Sequence, residues 1–91
     1  VFAMNDVLAL GAMRGLLRAG LSVPGDVAVV GFDDTAEARF STPPLTSIAP
    51  GRPEIARLCI ELLASRLEGT RPPEEHVELV SSFSLVVRES S

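Results

Sequence analysis

Lysine is absent from this sequence; all eight basic residues are arginine. They are scattered at Arg14, Arg18, Arg39, Arg52, Arg57, Arg66, Arg71 and Arg88 rather than gathered on one face. A duplex-binding domain carries a basic face that neutralises phosphates. With a net charge of −4 and no such face, the chain is not expected to bind DNA by itself. The missing lysine also argues against a phosphoacceptor site on paired aspartates, which uses a further carboxylate for Mg²⁺ and a lysine on a late strand. Cys59 is the single cysteine, so an internal disulfide and a cysteine-rich metal site are excluded and a reducing compartment is compatible. His76, the single histidine, follows a charged connector and has no serine or cysteine partner in a nucleophile setting. No phosphate-cradling glycine loop and no dinucleotide fingerprint is present. The expectation is no catalytic residue, no metal and no cofactor. No apolar run approaches the ~20 residues of a membrane helix, so a soluble chain without a membrane partner is expected. Nor is there a basic and apolar leader. The sequence opens instead on Val1-Phe2-Ala3-Met4, which reads as the end of a buried strand in a cut fragment.

What is present is apolar and patterned. Hydrophobic residues make up 46% of the 91, enough for a core in one small domain or a piece of a larger one. Val27-Ala28-Val29-Val30-Gly31-Phe32 is a short apolar run, suited to a strand buried on both faces in a parallel sheet covered by helices. It ends in Asp33-Asp34. Ligands of open α/β sheets collect beyond the carboxyl ends of the strands, so these carboxylates are candidates for a contact.

Before that strand, Asn5-Asp6 offers helix-capping side chains. The spacing predicts a helix over 7–19 with Gly20 as its stop. Leu10, Met13 and Leu17 share one face of it; Leu8, Ala12, Leu16 and Ala19 line a second; only Arg14 and Arg18 are polar. One apolar face packs on a sheet, and the other needs cover from the same protein or from a second subunit. Strand, helix, strand in this length is a βαβ unit. A short helical turn is expected over 36–40, an extended stretch at Thr42-Pro43-Pro44-Leu45, and a strand near Thr46-Ser47-Ile48. Pro53 and Glu54 suit the first turn of a second helix that Gly69 ends. Its core stripe is Ile55, Leu58, Cys59, Leu62 and Leu67, which makes Cys59 a buried packing thiol. Val77, Leu79 and Phe83 predict strand-like segments, and 84–88 a last strand.

Asn5 and Asp33 are the sharpest pair. Each follows a strand on one side of the same crossover, so both reach the same edge of the sheet. An amide and a carboxylate together suit sugar hydroxyls or the polar edge of a nucleobase. The alternative is that Asn5 caps the helix and Asp33 the next turn. Asp6 and Asp34 read as structural.

Ala3-Met4-Asn5-Asp6, Ala9-Leu10-Gly11-Ala12, Gly20-Leu21-Ser22-Val23-Pro24-Gly25-Asp26-Val27, Val30-Gly31-Phe32-Asp33-Asp34, Thr42-Pro43-Pro44-Leu45-Thr46 and Leu85-Val86-Val87-Arg88-Glu89-Ser90 together resemble the LacI/GalR family of bacterial transcriptional regulators. The match spans the chain and looks like the carboxy-terminal part of the effector-binding, periplasmic-binding-protein-like region. The resemblance implies an α/β fold, here a fragment of a two-lobed architecture with parallel sheets flanked by helices. It implies residues 1–48 and 84–91 in one lobe, and residues 49–83 as the inter-lobe crossing with a helix (52–68) and strand (76–80) of the other. It implies a small-molecule effector, a sugar or nucleobase-like metabolite, contacted by Asn5 and Asp33. Homodimerisation is implied through the first helix, with Leu10, Met13, Arg14 and Leu17 at the interface. DNA would be bound only through a helix-turn-helix domain outside this chain, in a cytoplasmic, non-enzymatic regulator. After Thr46-Ser47-Ile48 many members carry a basic residue and Gln-Pro; here Ala49-Pro50-Gly51-Arg52 stands, with Arg52 the remaining candidate contact. The runner-up is an extracytoplasmic sugar-binding protein of a transporter, which shares the fold.

Overall fold

A computed structural model describes residues 1–72 and 74–91. They form two compact units: unit 1 is Val1–Pro50 with Phe83–Ser91, and unit 2 is Gly51–Ser82.

Unit 1 opens with helix α1, Asp6–Arg18. The Asn5 side chain caps it, its Oδ1 accepting from the Leu8 amide at 2.8 Å. The helix stops in a Schellman turn: Gly20 takes φ +84°, its amide donates to Leu17 O, and the Leu21 amide donates to Leu16 O. The helix therefore starts and ends one residue earlier than its apolar spacing predicts. Strand β1 (Val30–Phe32) and helix α2 (Ala36–Phe40) follow, then strand β2 (Thr46–Ala49) and, after unit 2, strand β3 (Ser84–Val86).

The sheet order is β1-β2-β3. β1 and β2 run parallel with Gly31 opposite Ser47; β3 lies antiparallel to β2 with Leu85 opposite Ile48. The parallel expectation thus holds for the first pair, and the returning strand runs the other way. The opening residues add one parallel bridge, Phe2 to Val30, rather than a full strand. β1 is also shorter than the apolar run 27–32, because the Val29 amide leaves the ladder and bonds the Ser90 carbonyl at 2.8 Å. Only one face of it is buried: Val29 and Gly31 point inward, whereas Ala28 is exposed and Val30 and Phe32 are half-buried. Among the described residues of unit 1, α1 is the one long helix available to cover the sheet.

The core is Ala9, Met13, Val29, Ala38 and Leu45, with Ala3, Leu10, Leu16, Val23 and Val27 packed around it. This corrects the helix faces. The inward stripe of α1 runs through Asp6, Ala9 and Met13, taking one residue of the first face and none of the second. Met13, assigned to an interface by resemblance, has 3% of its surface exposed and belongs to the core of its own unit. Leu17 and Arg14 do lie outside.

Unit 2 is built on helix α3, Arg52–Leu67, entered through Gly51 in the left-handed region with Pro53 in its first turn. Gly69 (φ +75°) ends it in a second Schellman turn, with Thr70 N–H on Ser65 O and Gly69 N–H on Arg66 O. The Glu54 carboxylate accepts from the Ser82 hydroxyl and amide at 2.7 and 3.0 Å, closing the two ends of the unit. Those two bonds, the hydroxyl first, hold the Glu54 carboxyl below its usual range.

Two expectations fail in this unit. α3 buries no residue, and Cys59 is exposed rather than packed. Leu58 and Leu62 are half-buried, while Ile55 and Leu67 are exposed. No strand forms over 76–80. The reason is common to both: an amphipathic helix buries its stripe only against a second apolar surface, and the described residues of unit 2 supply none.

Candidate functional site

The carboxyl end of β1 carries an unusual turn. Asp33 has φ +117° and Asp34 φ +52°, two successive non-glycine residues on the positive side. For Asp34 this is the left-handed region, which aspartate tolerates better than most residues. For Asp33 it lies outside that region, a conformation that costs on the order of 1–3 kcal/mol and persists only where surroundings over-determine it.

The surroundings do so through three consecutive amides. Asp33 N–H donates to Ile48 O at 2.9 Å. Asp34 N–H donates to the Ser47 hydroxyl at 3.0 Å. Thr35 N–H donates to Oδ2 of Asp6 at 2.8 Å. Two of these acceptors come from β2, the strand parallel to β1, and the third from the first turn of α1.

Asp6 ties the arrangement together. It is fully buried. Its Oδ1 accepts from Ser47 Oγ at 2.6 Å, and its Oδ2 accepts from both the amide and the hydroxyl of Thr35. A buried carboxylate is tolerated only when it is hydrogen-bonded, and the N-terminus of a helix adds a favourable dipole. Gly31 makes the room: a Cβ there would collide with Oδ1 of Asp6. Sequence reading assigned Asp6 no more than a cap or loop contact. The signal it missed is the alignment of Gly31 with Ser47 across β1 and β2, which needs the register to be seen.

Asp34 is structural, as its position suggested. Its Oδ1 receives Nη2 of Arg88 at 2.5 Å, and the two side chains are 11% and 14% exposed. Arg39 approaches the other oxygen at 4.0 Å and is 63% exposed, so it contributes little. Arg88 also donates to Leu45 O at 2.7 Å. Two residues on, buried Ser90 donates its hydroxyl to Val29 O and accepts from the Thr46 amide, stitching the β1 and β2 segments. The closing Arg88-Glu89-Ser90 therefore holds the base of the Asp33 turn.

The candidate ligand residues are placed as follows. Asn5 and Asp33 are both half-buried and belong to the same end of unit 1, joined through their neighbours Asp6 and Thr35. Asn5 spends its carbonyl oxygen on the α1 cap and leaves its amide N–H groups outside that bond. Arg52 begins α3 in unit 2 and is exposed. On the C-terminal half of α1, Leu10, Met13, Arg14, Leu17 and Arg18 line a groove with Ser41 and Thr42. Among the described residues no group of three His, Cys, Asp or Glu side chains is arranged to hold a metal ion, and no helix is long and apolar enough to cross a membrane.

Residues 1–91 match the periplasmic binding protein-like domain. Over 91 residues the chain is 41% identical to the HTH-type transcriptional regulator MalR of Streptomyces coelicolor, covering all of this chain and 26% of that protein. It superposes on the transcriptional regulator CelR in complex with cellobiose with a TM-score of 0.93 at 42% identity, over 100% of this chain and 27% of the other. It superposes on the lac repressor dimer bound to operator and the anti-inducer ONPF with a TM-score of 0.85 at 33% identity, over 99% of this chain and 30% of the other. The chain thus spans about a quarter to a third of the length of these relatives. Such relatives are regulators and not enzymes. An α/β unit whose helix and strand end meet at an Asn-Asp pair and a Gly-Phe-Asp-Asp turn, matched along its whole length by such proteins, belongs to the LacI family of transcriptional regulators, in the periplasmic-binding-protein-like effector region.

Proposed function

We propose that these residues form part of the effector-sensing and dimerising region of a cytoplasmic DNA-binding regulator, and that the effector is a sugar. Asp33 accepts hydrogen bonds from sugar hydroxyls, and Asn5 supplies amide donors beside it. Unit 1 is read as part of one lobe and unit 2 as part of the other. The observation that carries the proposal is the Asp33 turn: positive φ at two successive aspartates, fixed amide by amide, at the edge where α/β sheets take ligands. The cellobiose bound to CelR favours a sugar over a nucleobase. The transporter alternative is set aside, because the relatives that match the whole of this chain are regulators.

Effector binding acts by shifting the population of arrangements of the regulator, and so the spacing of its DNA-binding domains. The exposed side of α1, with Leu17 and Arg14 outward and Leu10 and Met13 beneath, serves as the dimer surface. Isothermal titration of the full-length regulator with cellobiose, lactose and ribose tests the effector assignment. Binding of one sugar that Asp33→Ala weakens at least tenfold supports it, on the scale of a hydrogen bond to a charged group. Unchanged affinity in Asp33→Ala rejects it.

A further inference from the structure

We propose that Asp6 is a positioning residue for Asp33, so that the geometry of the effector contact is set from the first turn of α1. This inference rests on the reading of Asp33 as an effector contact and adds a residue that does not itself touch the ligand.

The argument starts from strain. Asp33 at φ +117° returns to an ordinary conformation unless the residues on both sides are held. On its far side the hold comes from Asp6 by two routes. Oδ2 binds Thr35 directly, at its amide and its hydroxyl. Oδ1 accepts a hydrogen bond from the Ser47 hydroxyl at 2.6 Å, which leaves a lone pair of the Ser47 oxygen facing the Asp34 amide at 3.0 Å. One carboxylate thus orients the donors and acceptors for two consecutive amides after Asp33. Asp6 itself cannot swing, because it is fully buried between Gly31 and the helix that carries it.

Both oxygens of the carboxylate act as acceptors. Asn at the same position keeps one acceptor; with it on Thr35, the amide N–H faces Ser47 Oγ, which then accepts from both that N–H and the Asp34 amide and leaves its own buried proton without this acceptor. The Ser47 anchor of the turn is then weakened and no longer oriented by Asp6. Because α1 also carries Asn5 and the proposed dimer surface, the same carboxylate links the position of that helix to the orientation of Asp33.

A double-mutant cycle in the full-length regulator separates positioning from general destabilisation. With the sugar among cellobiose, lactose and ribose that binds the wild type, Asp6→Asn is expected to weaken affinity about tenfold when Asp33 is present, and less than about twofold in the Asp33→Ala background. Amide exchange at Asp34 and Thr35 is expected to accelerate in Asp6→Asn. If the two losses multiply instead, Asp6 acts on the fold and not through Asp33, and the proposal is overturned. Wild-type affinity in Asp6→Asn also overturns it, provided Asp33→Ala is impaired; if Asp33→Ala binds normally, the effector reading fails first. Should Asp6→Asn not fold, Thr35→Val removes only the Thr35 hydroxyl donor. Its expected loss is about threefold with Asp33 and none without it, and equal losses in both backgrounds overturn the proposal. If none of the three sugars binds the wild type, exchange decides: native protection at Asp34 and Thr35 in Asp6→Asn or Thr35→Val overturns it.

Discussion

Arg88 and Asp34, 54 residues apart, meet at 2.5 Å between Nη2 and Oδ1 and fix the end of the chain under the turn that carries Asp33. Removing one partner of a largely buried pair leaves the other charge without compensation, a loss of about 3 kcal/mol. Arg88→Ala is expected to lower the stability of the full-length regulator by that order in a denaturant titration. Arg88→Lys is expected to recover only part, because an ammonium does not reach both Asp34 and the Leu45 carbonyl as the guanidinium fork does. A fully stable Arg88→Ala protein contradicts this account.

Asn5 has two roles that substitutions separate. Asn5→Ala removes the α1 cap and is expected to cost about 1 kcal/mol. Asn5→Asp keeps a capping oxygen for the Leu8 amide and removes the amide donors. Thermal unfolding of Asn5→Asp is expected to match the wild type while sugar affinity falls. Equal affinity in Asn5→Asp leaves the residue as a cap alone.

Leu17 is 42% exposed at the edge of the α1 groove. A charge there has little effect on the core of unit 1. Leu17→Glu is expected to dissociate the proposed dimer of the full-length regulator in sedimentation velocity without loss of helical signal. A persistent dimer excludes this side of α1 as the interface.

Two carboxylates, Asp26 and Glu54, respond differently to loss of their serine partners. Asp26 is held below its usual range by the Ser22 amide first and the Ser22 hydroxyl second. At Glu54 the order is reversed, with the Ser82 hydroxyl first. A carboxyl lowered in the folded state adds stability that is complete above its unfolded value, about pH 4, and is lost as pH falls through its folded value. Followed by NMR of the side-chain carboxyl carbons, Ser82→Ala is expected to return Glu54 most of the way to its ordinary midpoint. Ser22→Ala is expected to return Asp26 only part of the way. Identical recoveries contradict the assigned causes.

Much of unit 1 was legible along the chain, because its signals are local. Asn5 and Gly20 bracket α1 by capping chemistry that acts within one turn. The apolar run before Asp33 marks β1, although its first residues bond elsewhere. The role of Asp6 was not legible: its partners are Ser47 and Thr35, brought to it by strand register. Arg88 and Ser90 stood in the sequence as a recognisable ending, but nothing local joins them to Asp34 and Val29. Met13 is buried in the core while still lining the α1 groove with Leu10 and Leu17, because spacing defines faces without saying which edge of one meets the sheet. Cys59 was misplaced for a related reason, since a stripe on α3 implies burial only where a partner surface exists.

The sequence by itself determined the helices with their stops, the carboxylates at the end of β1 and, through its motifs, the family. Those properties depend on interactions within a few residues or on the order of short segments. Only the tertiary structure decided which carboxylate is buried, which is paired and which is held in a strained turn. Three aspartates of one residue type, Asp6, Asp33 and Asp34, differ in the partners that the sheet register delivers. Partners far apart in the chain are set by packing and not by propensity.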